Sequence, residues 1–97
     1  MTIPSYRING NSAQKLTVGA SSGQSAAFGT QTRALIITAL TANVHIEIGP
    51  NPVASATTSY LLKTTDPSLV IGCAPSDKIA TIQDTGAAVL YVAELSY

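Results

Sequence analysis

The chain has 97 residues and no net formal charge, with five basic residues against five acidic ones and a single histidine. Charged residues make up 10% of it, against about 25% in an average soluble domain. So neutral and charge-poor a chain lacks the electrostatic footprint of a protein that binds DNA, RNA or an anionic membrane. Its 24 Ile, Val, Leu and Phe residues are too many for intrinsic disorder.

The length predicts one domain with a modest core. Residues 1–32 read as an N-terminal arm or loosely connected edge strands, and residues 33–97 as the body of the domain. Short strands are expected at Ser5–Ile8, Lys15–Val18 and Ser25–Phe28. Arg33–Leu40 is apolar on both parities and rich in β-branched residues, the pattern of a central strand covered on both sides. After Thr41-Ala42-Asn43, the residues Val44, Ile46 and Ile48 alternate with His45 and Glu47, so the two segments read as a β-hairpin. Gly49-Pro50-Asn51-Pro52 ends that strand, since Pro removes a ladder donor and Gly allows a turn of positive φ. Val53–Ser59 reads as a loop. Strands then follow at Tyr60–Leu62, Ser68–Gly72, Lys78–Gln83 and Ala88–Leu95, separated by turns at Thr65–Pro67, Ala74–Asp77 and Asp84–Gly86. The last of these turns reads as a hairpin. Helical periodicity is absent. Strands every 8 to 14 residues predict an all-β, antiparallel β-sandwich of jelly-roll or immunoglobulin-like type.

No constellation for catalysis emerges. His45 is the only histidine, and its parity predicts that it faces solvent or a partner, beside Glu47 on the same face. A His–Glu pair can bind metal or act as a base, but no third ligand stands nearby. Cys73 is the only cysteine, which excludes an internal disulfide. It reads as a structural thiol, because a nucleophile would need His45 beside it. Asp66, Asp77 and Asp84 each fall in a turn and are expected to form local turn hydrogen bonds, in preference to a shared calcium site. Asp84-Thr85-Gly86 matches the aspartic-protease triplet over three residues only. Gly19–Ser25 lacks the lysine of a phosphate loop. The aromatics Tyr6, Phe28, Tyr60, Tyr91 and Tyr97 are dispersed, without a base-stacking platform. Catalytic, cofactor-binding and metal-binding residues are therefore all expected to be none. The start is unlike a signal peptide, and the longest apolar run, Ala34–Leu40, is far short of the roughly 20 residues that span a membrane.

Four segments carry a family resemblance. They are Val44-His45-Ile46-Glu47-Ile48-Gly49-Pro50-Asn51-Pro52-Val53-Ala54-Ser55, then Tyr60-Leu61-Leu62, then Pro75-Ser76-Asp77-Lys78-Ile79-Ala80-Thr81-Ile82-Gln83, and finally Val89-Leu90-Tyr91-Val92-Ala93-Glu94-Leu95. Over roughly residues 33–95 the chain resembles small β-sandwich virion proteins of tailed bacteriophages. Ile48 stands where that pattern often has Phe, and Ser76 where it often has Gly before Asp-Lys. The resemblance implies a virion structural protein, foremost a capsid decoration or cement protein on the capsid surface, made in the host cytoplasm. Its motifs are structural, not catalytic, and with the residue reading above they leave no enzyme activity and no cofactor expected. The implied partner is the major capsid protein, and the implied assembly a homo-oligomer. A trimer would suit capsid three-fold positions, though other symmetric orders fit equally well. The alternative is a tail- or fibre-associated module that recognises a host surface. Low charge suits assembly, because burying Thr, Ser, Ala and backbone at an interface carries little desolvation cost.

Overall fold

The computed structural model describes residues 7, 8, 10 and 12–96. They form nine strands and no helix: β1 (Arg7–Ile8), β2 (Gln14–Val18), β3 (Gly23–Gln24), β4 (Ala34–Leu40), β5 (Val44–Gly49), β6 (Tyr60–Leu62), β7 (Leu69–Gly72), β8 (Lys78–Gln83) and β9 (Ala88–Ser96). Every pairing is antiparallel. Two sheets result. In the first, β1 and β2 lie end to end along one edge of β9, followed by β4 and then β7. In the second the order is β3-β8-β5-β6.

The pairs β2·β9, β3·β8, β4·β7 and β5·β6 are nested, as if one long hairpin had its tip at the β5–β6 connection. The further pairs β4·β9 and β5·β8 roll that hairpin into two facing sheets. Eight strands in two Greek keys form a jelly roll, which decides between the two sandwich types expected. It also corrects two expected hairpins. The connections β4–β5 and β8–β9 each cross from one sheet to the other, and only β5–β6 joins neighbours in one sheet. The reason is the shared core. The apolar sets of β4 and β5 face each other across the sandwich instead of lying side by side on one surface.

The core between the sheets holds Val18, Phe28, Leu35, Ile37, Ala39, Val44, Ile46, Leu62, Ile79, Ala88, Leu90 and Val92. Each large aliphatic side chain fully buried here stabilises the fold by roughly 1.5–3 kcal/mol. Val18 and Phe28 come from the first 32 residues, so the early segment feeds the same core as the later strands. Ser25–Phe28 forms no strand but runs beside β8, with Ser25 N donating to Ile79 O and Phe28 N to Asp77 O, both at 2.8 Å. Ser5 and Tyr6 of the first expected strand lie outside the described residues.

β4 is central in its sheet, as expected, but on its outward side only Ala34 is buried. Leu35, Ile37 and Ala39 face the core, whereas Ile36 and Thr38 on the other parity are half-buried and Leu40 is exposed. No described glycine has positive φ, so Gly49 does not use the freedom expected of it. The left-handed positions fall instead to Thr41 (φ 76°) and Ser76 (φ 66°). Ser76 follows Pro75 in a four-residue turn that Asp77 N closes by donating to Ala74 O at 3.2 Å. Pro second and positive φ third is the pattern of a type II turn, whose third position favours Gly.

Candidate functional site

The outer faces of the two sheets differ in what covers them. The β5–β6 connection, residues 50–59, is strapped across the second sheet. Gln24 Nε2 donates to Asn51 Oδ1 at 3.0 Å and to Pro52 O at 2.7 Å, and Ala54 N donates to Ser22 Oγ at 2.8 Å. Pro52 and Ala54 are buried in consequence. Ala80, on the outward parity of β8 opposite Glu47, is fully buried outside the main core.

This strap also encloses His45, and here the sequence expectation is corrected. The side chain does point outward from its sheet, but it is 7% exposed. Its Nε2 meets Asp84 Oδ1 at 2.9 Å and its Nδ1 meets the Ser59 carbonyl oxygen at 3.1 Å. Both partners are acceptors, so both ring nitrogens donate when the imidazole is cationic. The Asp84 hydrogen bond raises the histidine pKa above its ordinary value. Burial opposes this, while the Ser59 carbonyl and the Asp84 charge reinforce it. Asp84 is therefore not a local turn residue as expected, but the anchor that ties the β8–β9 connection to β5.

A serine, a histidine and an aspartate thus meet, but not in the arrangement that activates a nucleophile. Ser59 presents its carbonyl to His45, while its hydroxyl donates to Glu47 Oε1 at 2.9 Å. Neither ring nitrogen is free to accept the hydroxyl proton, which general-base activation requires. Asp66 and Asp77 do form the expected turns. Asp66 Oδ2 accepts from Lys63 N at 3.1 Å, and Asp77 Oδ2 accepts from Ala74 N at 2.9 Å. Among the described residues no three His, Cys, Asp or Glu side chains cluster as metal ligands.

Cys73 is half-buried, with its thiol directed at the Thr32 carbonyl oxygen at 3.8 Å. Burial, then the charges of Asp77 and Glu94, push its pKa up and hold the thiol protonated. Glu94 carries a role the sequence did not signal. Its Oε1 accepts from Gly29 N at 2.8 Å and from Thr32 Oγ1, stapling the 29–32 turn onto β9. Phe28 lies in the core, whereas Tyr60 and Tyr91 are exposed. Tyr6 and Tyr97 lie outside the described residues.

Among the described residues, no such strap crosses the outer face of the first sheet. At one end of it Ala34 and Leu95, which pair with each other, are buried, and across the rest of β2, β9, β4 and β7 it presents Lys15 and Thr17, then Val89, Tyr91 and Ala93, then Ile36, Thr38 and Leu40, then Val70. Leu40, Val70 and Tyr91 are 44%, 48% and 39% exposed. Lys15 carries the one formal charge in this set, and its Nζ sits 6.0 Å from the centre of the Tyr91 ring. Thr38 Oγ1 and Ser68 Oγ share a hydrogen bond of 2.7 Å at the margin. Such a face has the make-up of an interface core: apolar and aromatic side chains with few charges to desolvate. It is the candidate functional surface.

Comparison of the chain with protein-family models, curated proteins and solved structures finds no match.

Proposed function

We propose that the chain is a bacteriophage virion structural protein, a capsid decoration or cement protein that binds the major capsid protein lattice as a homo-oligomer. The observation that carries this reading is the bare outer face of the first sheet. Around Tyr91, Leu40, Ile36 and Val70 it offers apolar surface with one formal charge, a composition suited to docking on a repeated protein surface. The family resemblance stated above supports the same reading. So does one of its departures. Ser76 replaces the Gly of that pattern, and its φ of 66° is one that Gly adopts without strain. Jelly rolls serve in both viral capsid and lectin domains, so the fold by itself favours neither this reading nor a host-binding module.

The deciding experiment is quantitative mass spectrometry of purified particles of the phage that encodes the chain. Hundreds of copies per particle are expected of a decoration protein. A dozen or fewer would move it to a vertex, tail or fibre, and absence from the particle would overturn the reading. In parallel, the double variant Leu40→Asp, Tyr91→Asp is expected to fold but to lose saturation binding to expanded capsids.

A further inference from the structure

The four outermost strand positions of the sandwich are not equally protected. Natural sheets block unwanted pairing with charge, proline or very short edge strands. β2 carries Lys15, β3 has two residues, and β6 has three and runs into Lys63. β7 is the exception. From Pro67 to Ser76 there is no formal charge, and neither proline falls within the strand.

The hydrogen-bonding groups on its open side follow from the register. Cys73 N donates to Arg33 O at 3.0 Å, one step beyond the Ala34↔Gly72 pair. Antiparallel pairs alternate between bonded and non-bonded. Ile71 and Leu69 are therefore bonded to β4, and the N–H and C=O groups of Val70 and Gly72 point away from it. No described residue hydrogen-bonds to them. Beside this edge the sandwich opens into a groove of about 500 Å³, lined by Ile46, Ile48, Tyr60, Leu69 and Ile71 together with Glu47 and Thr58.

We propose that β7 pairs antiparallel with β7 of a second copy about a two-fold axis at Ile71, joining the two first sheets into one. The edge is self-complementary in this register. Val70 faces Gly72 of the partner subunit and Gly72 faces Val70 of the partner subunit. Each is a bonded pair that exchanges two hydrogen bonds, so all the outward N–H and C=O groups of both residues are satisfied. Ile71 meets Ile71 of the partner subunit as the close, non-bonded pair on the groove side, drawing apolar surface over both groove mouths. On the other side Gly72 leaves room for the branched Val70 side chain. No like charges meet, because the edge segment has none. The pairing stands on the strand edge and does not depend on the capsid-binding reading. A four-residue strand buries far less than the roughly 800 Å² per partner of a standard interface, so the dimer is expected to be weak and concentration-dependent.

Sedimentation over a concentration series tests it. The full chain is expected to shift reversibly from monomer to dimer. Val70→Pro removes an outward N–H and leaves the β4 ladder intact. It is expected to weaken the dimer at least tenfold with an unchanged far-ultraviolet spectrum and thermal midpoint. In a Cys73→Ser background, Ile71→Cys is expected to give a covalent dimer on mild oxidation. The separation of a non-bonded pair, about 4.5 Å between Cα atoms, fits a disulfide. Val70→Cys in the same background is expected to stay uncrosslinked. A chain that is monomeric throughout the series overturns the proposal. So does a folded Val70→Pro that dimerises as before, or crosslinking through Val70→Cys in place of Ile71→Cys. Should Ile71→Cys fail to fold, the Val70→Pro comparison decides alone.

Discussion

Two alanines on outward-facing positions of central strands show how differently this sandwich treats its two sides. Ala80 on β8 is fully buried beneath the strap of residues 50–59, whereas Ala93 on β9 is half-buried on a face that no described segment crosses. The strapped side satisfies its polar groups internally, through His45, Asp84, Ser59 and Glu47. The bare side presents Ile36, Leu40, Tyr91 and Val70. The two outer faces thus differ in burial, and under the proposed function substitutions on the two sides should fail in different assays.

The largest contrast is expected from the matched substitutions Ala80→Glu and Ala93→Glu. Under the strap an unpaired carboxylate has no access to water, so Ala80→Glu should cost on the order of 3–5 kcal/mol in denaturant unfolding. Ala93→Glu should change stability by about 0.5 kcal/mol or less. Equal costs would mean that the two faces are equally covered.

Next in size is the histidine. His45→Ala takes the donors away from Asp84 and the Ser59 carbonyl and should destabilise by about 1–3 kcal/mol at acidic pH. The pKa of His45 is raised in the fold, so its contribution is fully present below the ordinary histidine value of about 6.5. It is lost as the pH rises through the folded value. The wild-type thermal midpoint should therefore fall across that window, and the gap to His45→Ala should narrow as it does. A gap that widens with pH would show that His45 is neutral in the fold.

Smaller gains are expected at the two left-handed residues. Thr41→Gly and Ser76→Gly each relieve strain of roughly 1–2 kcal/mol and lose some of it to backbone entropy, for a net stabilisation of about 0.5–1 kcal/mol. Calorimetry of the single variants would read this. The smallest stability effect is expected on the bare face. Lys15→Ala gives up a solvent-exposed contact with the Tyr91 ring and should cost about 0.5 kcal/mol at most. Any larger loss on capsid saturation would locate Lys15 in the docking surface.

Local structure was readable from residue patterns because it depends on neighbours in the chain. Lys78–Gln83 and Tyr60–Leu62 form strands over the residues expected, since β-branched and apolar residues there are bounded by Asp, Pro or Lys. Pairing was less readable. Thr41-Ala42-Asn43 is short enough for a hairpin, yet it bridges the two sheets, and nothing in three polar and small residues marks the difference. At His45 the parity was correct and the environment was not. Alternation places the side chain outside the β-sheet, but only the return of residues 50–59 over that face, held by Gln24 and Ser22, makes the outside an interior. Asp84 lies 39 residues from His45, too far for any spacing rule to connect them.

The strand positions from β4 onward, the inward and outward parity of β5, the all-β class and the scarcity of charge were determined by the sequence alone. These follow from side-chain type and period-two geometry, which act over a few residues. The tertiary structure alone decided that the hairpin rolls into two sheets, that His45 is buried against Asp84 with its pKa raised, and that no described residue pairs with the outer edge of β7. Each depends on contacts between segments tens of residues apart, and those are settled by which arrangement buries the most apolar surface while satisfying the backbone.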